Sequence, residues 1–251
     1  MREIKIGNKK IGQNNPCYTI AEAGANHEGE LKKAFKLIDA AAYSKADSIK
    51  FQTYTASKLV TKTAPKYWDD GIKGETQFDV FSKLDSLKKS DWEEIFNYAE
   101  KKGITCFSTP FDEDSVDLLY SLGVEAFKIA SADITHIPLI KKVASKKIPI
   151  FMSTGMASDE DIIDAVETIK NQGNHSIILM HCMTSYPTPV EDANLEMIKT
   201  MTNKFSDCVI GYSDHTIGVD IPVFSALYGA KCIEKHFTFD TKLTTSRDHR
   251  L

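Results

Sequence analysis

Apolar residues gather into eight short runs: YTIAEAG (18–24), SIKFQT (48–53), ITCFSTPFD (104–112), AFKIASADI (126–134), IPIFMSTG (148–155), IILMHCMTSYP (177–187), and two segments leading from Val209 and Ile210 to His215 and from Cys232 and Ile233 to His236. Such near-continuous runs predict strands buried on both faces. Between them the period turns helical, as where Leu31, Ala34, Phe35, Ile38, Ala41 and Ala42 share one face. Ser90-Asp91-Trp92-Glu93 and Ser158 to Asp161 match capping boxes, opening helices that end at Gly103 and near Gly173. Val219 to Tyr228 predicts another helix, closed by Gly229. Strand, crossover helix, strand places the flanking strands parallel and adjacent. Eight such units predict an α/β chain closed into a (β/α)8 TIM barrel, one domain over residues 1–251. Ile4, Ile6 and Ile11 around GNKK predict an N-terminal β-hairpin within residues 1–16. Only DTKLTTSRDHRL follows the eighth strand, so the barrel's last helix is expected to be absent from this chain. Tyr54 to Lys89 reads as a long polar-aromatic loop, a kind that is usually functional or mobile.

In a barrel the catalytic groups come from the C-terminal ends of the strands. Those ends carry Glu22, Lys50 and Gln52, Ser108 and Thr109, Lys128 and Ser131, Ser153 and Thr154, His181 and Tyr186, Ser213 and His215, and Glu234 and His236. A lysine inside a covered strand needs an anionic partner, and both Lys50 and Lys128 are flanked by apolar residues. Lys50 with Glu22 across adjacent strands would be a structural salt bridge. Two lysines together with Ser131 and Ser153 favour a cradle for phosphate or carboxylate. Glu22 reads equally as a general base and as the partner of Lys50, and both roles can hold. His215 and His236 on neighbouring strand ends suggest an open divalent-metal site, completed by water and substrate oxygens.

Composition narrows the partners without choosing one. A net charge of −4 and a pI near 6.0 give no basic footprint, so nucleic acid and membrane are not expected partners. The five cysteines have no CxxC spacing and lie in or beside apolar runs, as buried free thiols do in a reducing compartment. The polar start predicts no signal peptide, and no run nears about 18 apolar residues, so a cytoplasmic protein is expected. No glycine-rich dinucleotide fingerprint or P-loop follows any strand.

YTIAEAGANHEG, SIKFQT, FSTPFDEDSVDLL, AFKIASADIT, STGMAS, HCMTSYPTPVEDANL, GYSDHTIG and EKHFTFD together resemble, in order and spacing, the sialic acid synthase family, which makes N-acetylneuraminate and related nonulosonates and includes a spore-coat polysaccharide branch. The resemblance implies a barrel that condenses phosphoenolpyruvate with an open-chain N-acetylmannosamine-type sugar, releasing phosphate, with Mn2+ or Mg2+ required. It implies that His215 and His236 hold the metal. Lys50, Lys128, Thr109, Ser131, Ser153 and Ser213 would hold phosphoenolpyruvate, Gln52 and Glu22 line the same mouth, and Tyr186 and Asp248 contact the sugar, with Glu22 the candidate base. Three positions depart from the family pattern. Ser131-Ala132-Asp133 stands for Ser-Gly-Glu, Thr184 replaces an amide at a substrate-binding position, and Ser246-Arg247 replaces Gly-Pro ahead of Asp248. The family also implies a C-terminal antifreeze-like domain, expected to be absent here, and a homodimer of the full-length protein. Competing readings are a catalytically impaired barrel that binds ligand without turnover, a related phosphoenolpyruvate-dependent 3-deoxy-2-keto sugar acid synthase, and a metal-dependent sugar isomerase.

Overall fold

A computed structural model describes residues 3–68 and 73–243. Two short antiparallel strands, β1 (Ile4–Ile6) and β2 (Lys9–Ile11), form the N-terminal hairpin. Eight parallel strands then close a barrel in sequence order: β3 (Tyr18–Gly24), β4 (Ser48–Thr53), β5 (Thr105–Pro110), β6 (Phe127–Ile129), β7 (Ile150–Ser153), β8 (Ile177–Cys182), β9 (Val209–Asp214) and β10 (Cys232–His236), with β10 pairing back onto β3. The helices are α1 (Leu31–Tyr43), α2 (Ala56–Leu59), α3 (Gln77–Leu84), α4 (Lys89–Lys102), α5 (Glu113–Ser121), α6 (Ile137–Ser145), α7 (Asp159–Asn171), α8 (Glu196–Lys204) and α9 (Asp220–Leu227).

The core has an inner part and an outer jacket. Inside the barrel, Tyr18, Ile20, Phe107, Phe151, Ile178, Met180, Val209 and Cys232 pack with Ile4, Ile6 and Ile11 of the hairpin. Phe107 and Phe151 stack there at 5.2 Å between centroids. The hairpin is therefore a floor for the N-terminal end of the barrel. Gly211 lets β9 and β10 close at this level, because a Cβ there would lie 2.2 Å from the Cys232 sulfur. Outside, the alternate side chains of the strands meet the helices, with α1 and α4 over β3–β5 and α5–α8 over the remaining wall.

Several expected boundaries move. The run 126–134 is strand only to Ile129, and Ser131–Asp133 turns into a 3-10 helix. The runs 104–112, 148–155 and 177–187 are likewise trimmed at their C-terminal ends, where the chain leaves the sheet for the mouth. The Ser158–Asp161 box forms, Ser158 Oγ accepting the Asp161 N–H and the Asp161 carboxylate accepting the Ser158 N–H. The Ser90–Glu93 box does not. α4 starts two residues earlier, with Lys88 as its cap, and Asp91 accepts the Lys88 N–H at 2.8 Å. The stretch from Tyr54 to Lys89 contains α2 and α3, and α3 is capped by a Thr76–Asp79 box. Residues 237–243 form no helix, and Asp248 lies outside the described residues.

Candidate active site

The barrel mouth carries the charged groups. Lys50 Nζ lies 2.8 Å from Glu22 Oε2 and 3.7 Å from Glu234 Oε2, and it donates to Thr109 Oγ1 at 3.0 Å. Lys128 Nζ is 2.7 Å from Glu234 Oε1, which also accepts from Ser213 Oγ at 2.9 Å. Gln52 Nε2 donates to Glu22 Oε1 at 3.2 Å. Glu22, Lys50, Lys128 and Glu234 are all buried. Two cations and two anions thus share one desolvated chamber, and the expected Lys50–Glu22 pair is one link of a larger network.

The two carboxyls respond to it in opposite ways. Burial raises Glu22 above the usual carboxylate range, and neighbouring Glu234 adds to the rise while Lys50 opposes it. Burial would raise Glu234 as well, but Lys128 and Lys50 outweigh it and hold that carboxyl well below its ordinary value. Glu234 is therefore the fixed anion, and Glu22 is the carboxyl able to exchange a proton. A register shift between Glu22 and Gly24 loosens the β3–β4 ladder beside Glu22, as bulges next to functional sites do.

Beyond this network lie oxygen and nitrogen groups turned to the same end. Ser153 Oγ is buried without a hydrogen-bond partner among the described residues. Ser131 Oγ accepts the Gly155 N–H at 3.0 Å. A Cβ on Gly155 would lie 2.8 Å from Thr184 Cγ2 and 3.0 Å from Ser131 Oγ, so Ser131, Gly155 and Thr184 form one tight corner that only glycine fits. Asp133, just past β6, has a buried Oδ2 without a partner among the described residues, and burial pushes its carboxyl up to about 6 against the pull of His136.

His215 and His236 are buried on adjacent strand ends, their ring centroids 5.5 Å apart. Tyr186 lies against His215, centroids 3.9 Å apart, and 6.2 Å from His236. The Met183 carbonyl accepts from His215 Nδ1, which leaves Nε2 with its lone pair, and Cys182 Sγ is 3.7 Å from the same Nδ1. Burial, then the proximity of His236, lowers the His215 imidazole to about 4, so it is neutral at neutral pH. A neutral ring oriented by a backbone carbonyl fits a metal ligand. Among the described residues no group of three or more His, Cys, Asp or Glu side chains is arranged to hold an ion, so two nitrogens are what these residues offer.

The structure brings Glu22, Lys50, Gln52, Thr109, Lys128 and Ser213 into one network, joins Ser131 to Thr184 through Gly155, and sets Tyr186 against the histidines. Ser108 pairs instead with the Thr53 hydroxyl at 2.7 Å, and Thr154 donates to the Met180 carbonyl at 3.2 Å. His181 likewise stands apart. It packs on Tyr212 and its Nε2 pairs with the Ala193 carbonyl at 2.9 Å, so it holds the loop before α8 and is not part of the mouth network. Glu234 is the residue whose weight the sequence left unassigned. Its signal was a carboxylate in an apolar strand two positions before His236.

A closed (β/α)8 barrel with ionisable groups gathered at the C-terminal ends of its strands is the layout of barrel enzymes. The particular kinship follows from residues 37–251, which match the NeuB family, and the chain belongs to that family. It is 40% identical over 244 residues to the N,N'-diacetyllegionaminic acid synthase of Legionella pneumophila, covering 94% of this chain and 68% of that one. It is 41% identical over 246 residues to the spore coat polysaccharide biosynthesis protein SpsE of Bacillus subtilis, covering 97% and 65%. The crystal structure of N-acetylneuraminic acid synthetase from Leptospira borgpetersenii matches with a TM-score of 0.87 at 38% identity, covering 99% of this chain and 82% of that one. A truncated 3-deoxy-D-arabino-heptulosonate 7-phosphate synthase from Thermotoga maritima, at 17% identity and a TM-score of 0.73, shares the fold.

Proposed function

We propose that the chain is the catalytic barrel of a nonulosonate synthase, joining phosphoenolpyruvate to an open-chain N-acetylmannosamine-type sugar with C–O cleavage and release of phosphate. The observation that carries this reading is the pair of buried lysines, Lys50 and Lys128, set in the same mouth as two adjacent imidazoles. The names borne by the relatives favour it over other uses of an anion cradle.

Lys50, Lys128, Ser153, Ser213, Thr109 and the Ser131–Gly155 corner hold the phosphate and carboxylate of phosphoenolpyruvate. Ser153, whose hydroxyl lacks a partner among the described residues, is available to an anion oxygen. The sugar lies above, its aldehyde towards His215 and His236, flanked by Gln52, Thr184 and Tyr186, and the family resemblance adds Asp248 to its contacts. His215 and His236 would hold a divalent cation, Mn2+ or Mg2+, which when bound polarises the aldehyde carbonyl. C3 of phosphoenolpyruvate forms the new bond to the aldehyde carbon as the carbonyl π pair moves to its oxygen, which becomes a hydroxyl with the proton that Glu22 takes from water in the next step. Cationic character at C2 is captured by water, and Glu22, its basicity raised by burial, accepts the water proton. The tetrahedral C2 then expels phosphate by breaking its C–O bond while its hydroxyl becomes the ketone and gives its proton to the departing phosphate, whose charge the lysine cradle stabilises.

The working form is a homodimer of the full-length protein, and its place is the cytoplasm. No helix among the described residues is long and apolar enough to cross a membrane. The test is phosphate release by the intact protein given phosphoenolpyruvate, Mn2+ and a panel of 2-acetamido hexoses. Release that requires both sugar and metal is expected. No release with any sugar in the metal-loaded protein overturns the reading.

A further inference from the structure

The two histidine-bearing strand ends are fastened together by side chains that the proposed chemistry does not use. Along β9 and β10 the residues alternate between the two faces of the wall. Ser213 and Glu234 meet in the chamber, and the intervening Asp214 and Lys235 are register partners on the other phase. The Asp214 side chain is fully buried and that of Lys235 is mostly so. Lys235 Nζ donates to Asp214 Oδ2 at 2.7 Å and to the Thr216 carbonyl at 2.7 Å. Thr216 in turn donates its hydroxyl to Asp214 at 2.9 Å and its N–H at 3.3 Å.

One ammonium therefore grips the residue before His215 and the residue after it, and His236 is the next residue along its own strand. The His215 carbonyl accepts the Thr188 N–H at 2.8 Å, and its ring is tied to the Met183 carbonyl. The separation of the two rings is thus set by bonds to β9, β10 and the 183–188 loop. A buried ion pair of this kind could be replaced as a whole by apolar packing at little cost, whereas losing one partner strands the other charge. What an apolar pair cannot do is bind Asp214 and the Thr216 carbonyl at once.

We propose that Lys235 and Asp214 are positioning residues that fix the spacing and orientation of His215 and His236 for a single divalent cation. This rests on the two-histidine site of the functional reading above. Substituting an outer partner of a metal ligand typically weakens affinity about 10- to 100-fold.

The test compares wild type, Lys235→Met, Lys235→Arg and His236→Ala in the full chain, with Mn2+ titrated by calorimetry into metal-free protein. Lys235→Met is expected to weaken Mn2+ binding by about tenfold or more, and Lys235→Arg, which can span the same two acceptors, recovers most of it. Phosphoenolpyruvate affinity in the absence of metal stays at the wild-type value, because the cradle is untouched. In metal-free protein, 15N spectra of the imidazoles show His215 losing its Nδ1–H form in Lys235→Met, a change that a general loss of stability would not produce. Mn2+ affinity unchanged in Lys235→Met but lost in His236→Ala overturns the positioning role alone. Mn2+ affinity unchanged in both overturns the two-histidine site and the proposal with it. Weakened binding with wild-type imidazole spectra also overturns the proposal.

Discussion

Lys128 on β6 and Glu234 on β10 meet across the barrel at 2.7 Å, although 106 residues separate them in the chain. Neither strand is a neighbour of the other in the wall, so the contact spans the lumen. Removing the ammonium leaves a buried carboxylate, a defect that typically costs about 3–5 kcal/mol. Lys128→Met is expected to lower the denaturation midpoint strongly, and Lys128→Met/Glu234→Leu to restore most of it while leaving phosphoenolpyruvate binding abolished. Chemical denaturation and calorimetry on both variants check the two halves separately.

Ser153 gives the opposite result. Its hydroxyl has no partner to lose among the described residues, so Ser153→Ala removes an unsatisfied polar atom from a buried site. Thermal stability should hold or rise slightly, while the dissociation constant for phosphoenolpyruvate increases by about tenfold, the worth of one hydrogen bond to a charged group. A stability loss with unchanged ligand affinity would count against Ser153 as part of the cradle.

Gly155→Ala places a methyl group 2.8 Å from Thr184 and 3.0 Å from Ser131. The neighbours must move, at a cost of about 1–3 kcal/mol for overpacking. The Ser131 hydroxyl is displaced with them, so phosphoenolpyruvate affinity is expected to fall together with the melting temperature. Retained affinity in a folded variant would separate this corner from the cradle.

Acid sensitivity has a traceable source in His27. Its ring is buried between Phe51 and Trp92, accepts the Gly29 N–H at its Nδ1, and is lowered to about 4 by burial, with Glu28 opposing. Unfolded histidine titrates near about 6.5, so between those values the unfolded chain binds the extra proton and the folded one does not. The contribution is fully present above about pH 6.5 and is lost as pH falls towards 4, up to roughly 3 kcal/mol. His27→Asn keeps an acceptor for the Gly29 N–H but cannot titrate. Urea midpoints at pH 7 and 4.5 should differ less in the variant than in the wild type, and equal differences would exclude His27 as the source.

The barrel was legible because its strands are apolar on both faces, and the lysines stood out as charges inside those runs. Ser158 was readable as a cap and Ser90 misleading, since the chain has an equally good acceptor in Asp91 next door. α2 and α3 escaped notice for a physical reason. α2 has four residues, and α3 has eight, with side chains only partly buried and Phe81 packed on the aromatic rings of Tyr54 and Trp68, so each is too short to show a helical period. The phase of β8 could have excluded His181. Ile178 and Met180 face the lumen with the inner core, and His181 falls on the alternate phase. No local signal pairs Lys128 with Glu234, because closure of the barrel decides which interior residues meet.

The hairpin beneath the barrel closes the chamber at its N-terminal end, so the mouth at the other end is the way in. Whatever lies at the level of Glu234 has passed the level of His236, two residues nearer the rim, and must leave the same way. On the proposed chemistry this imposes a queue. Phosphoenolpyruvate enters first, the sugar closes over it, and phosphate, released at the bottom, waits until the nine-carbon product has gone.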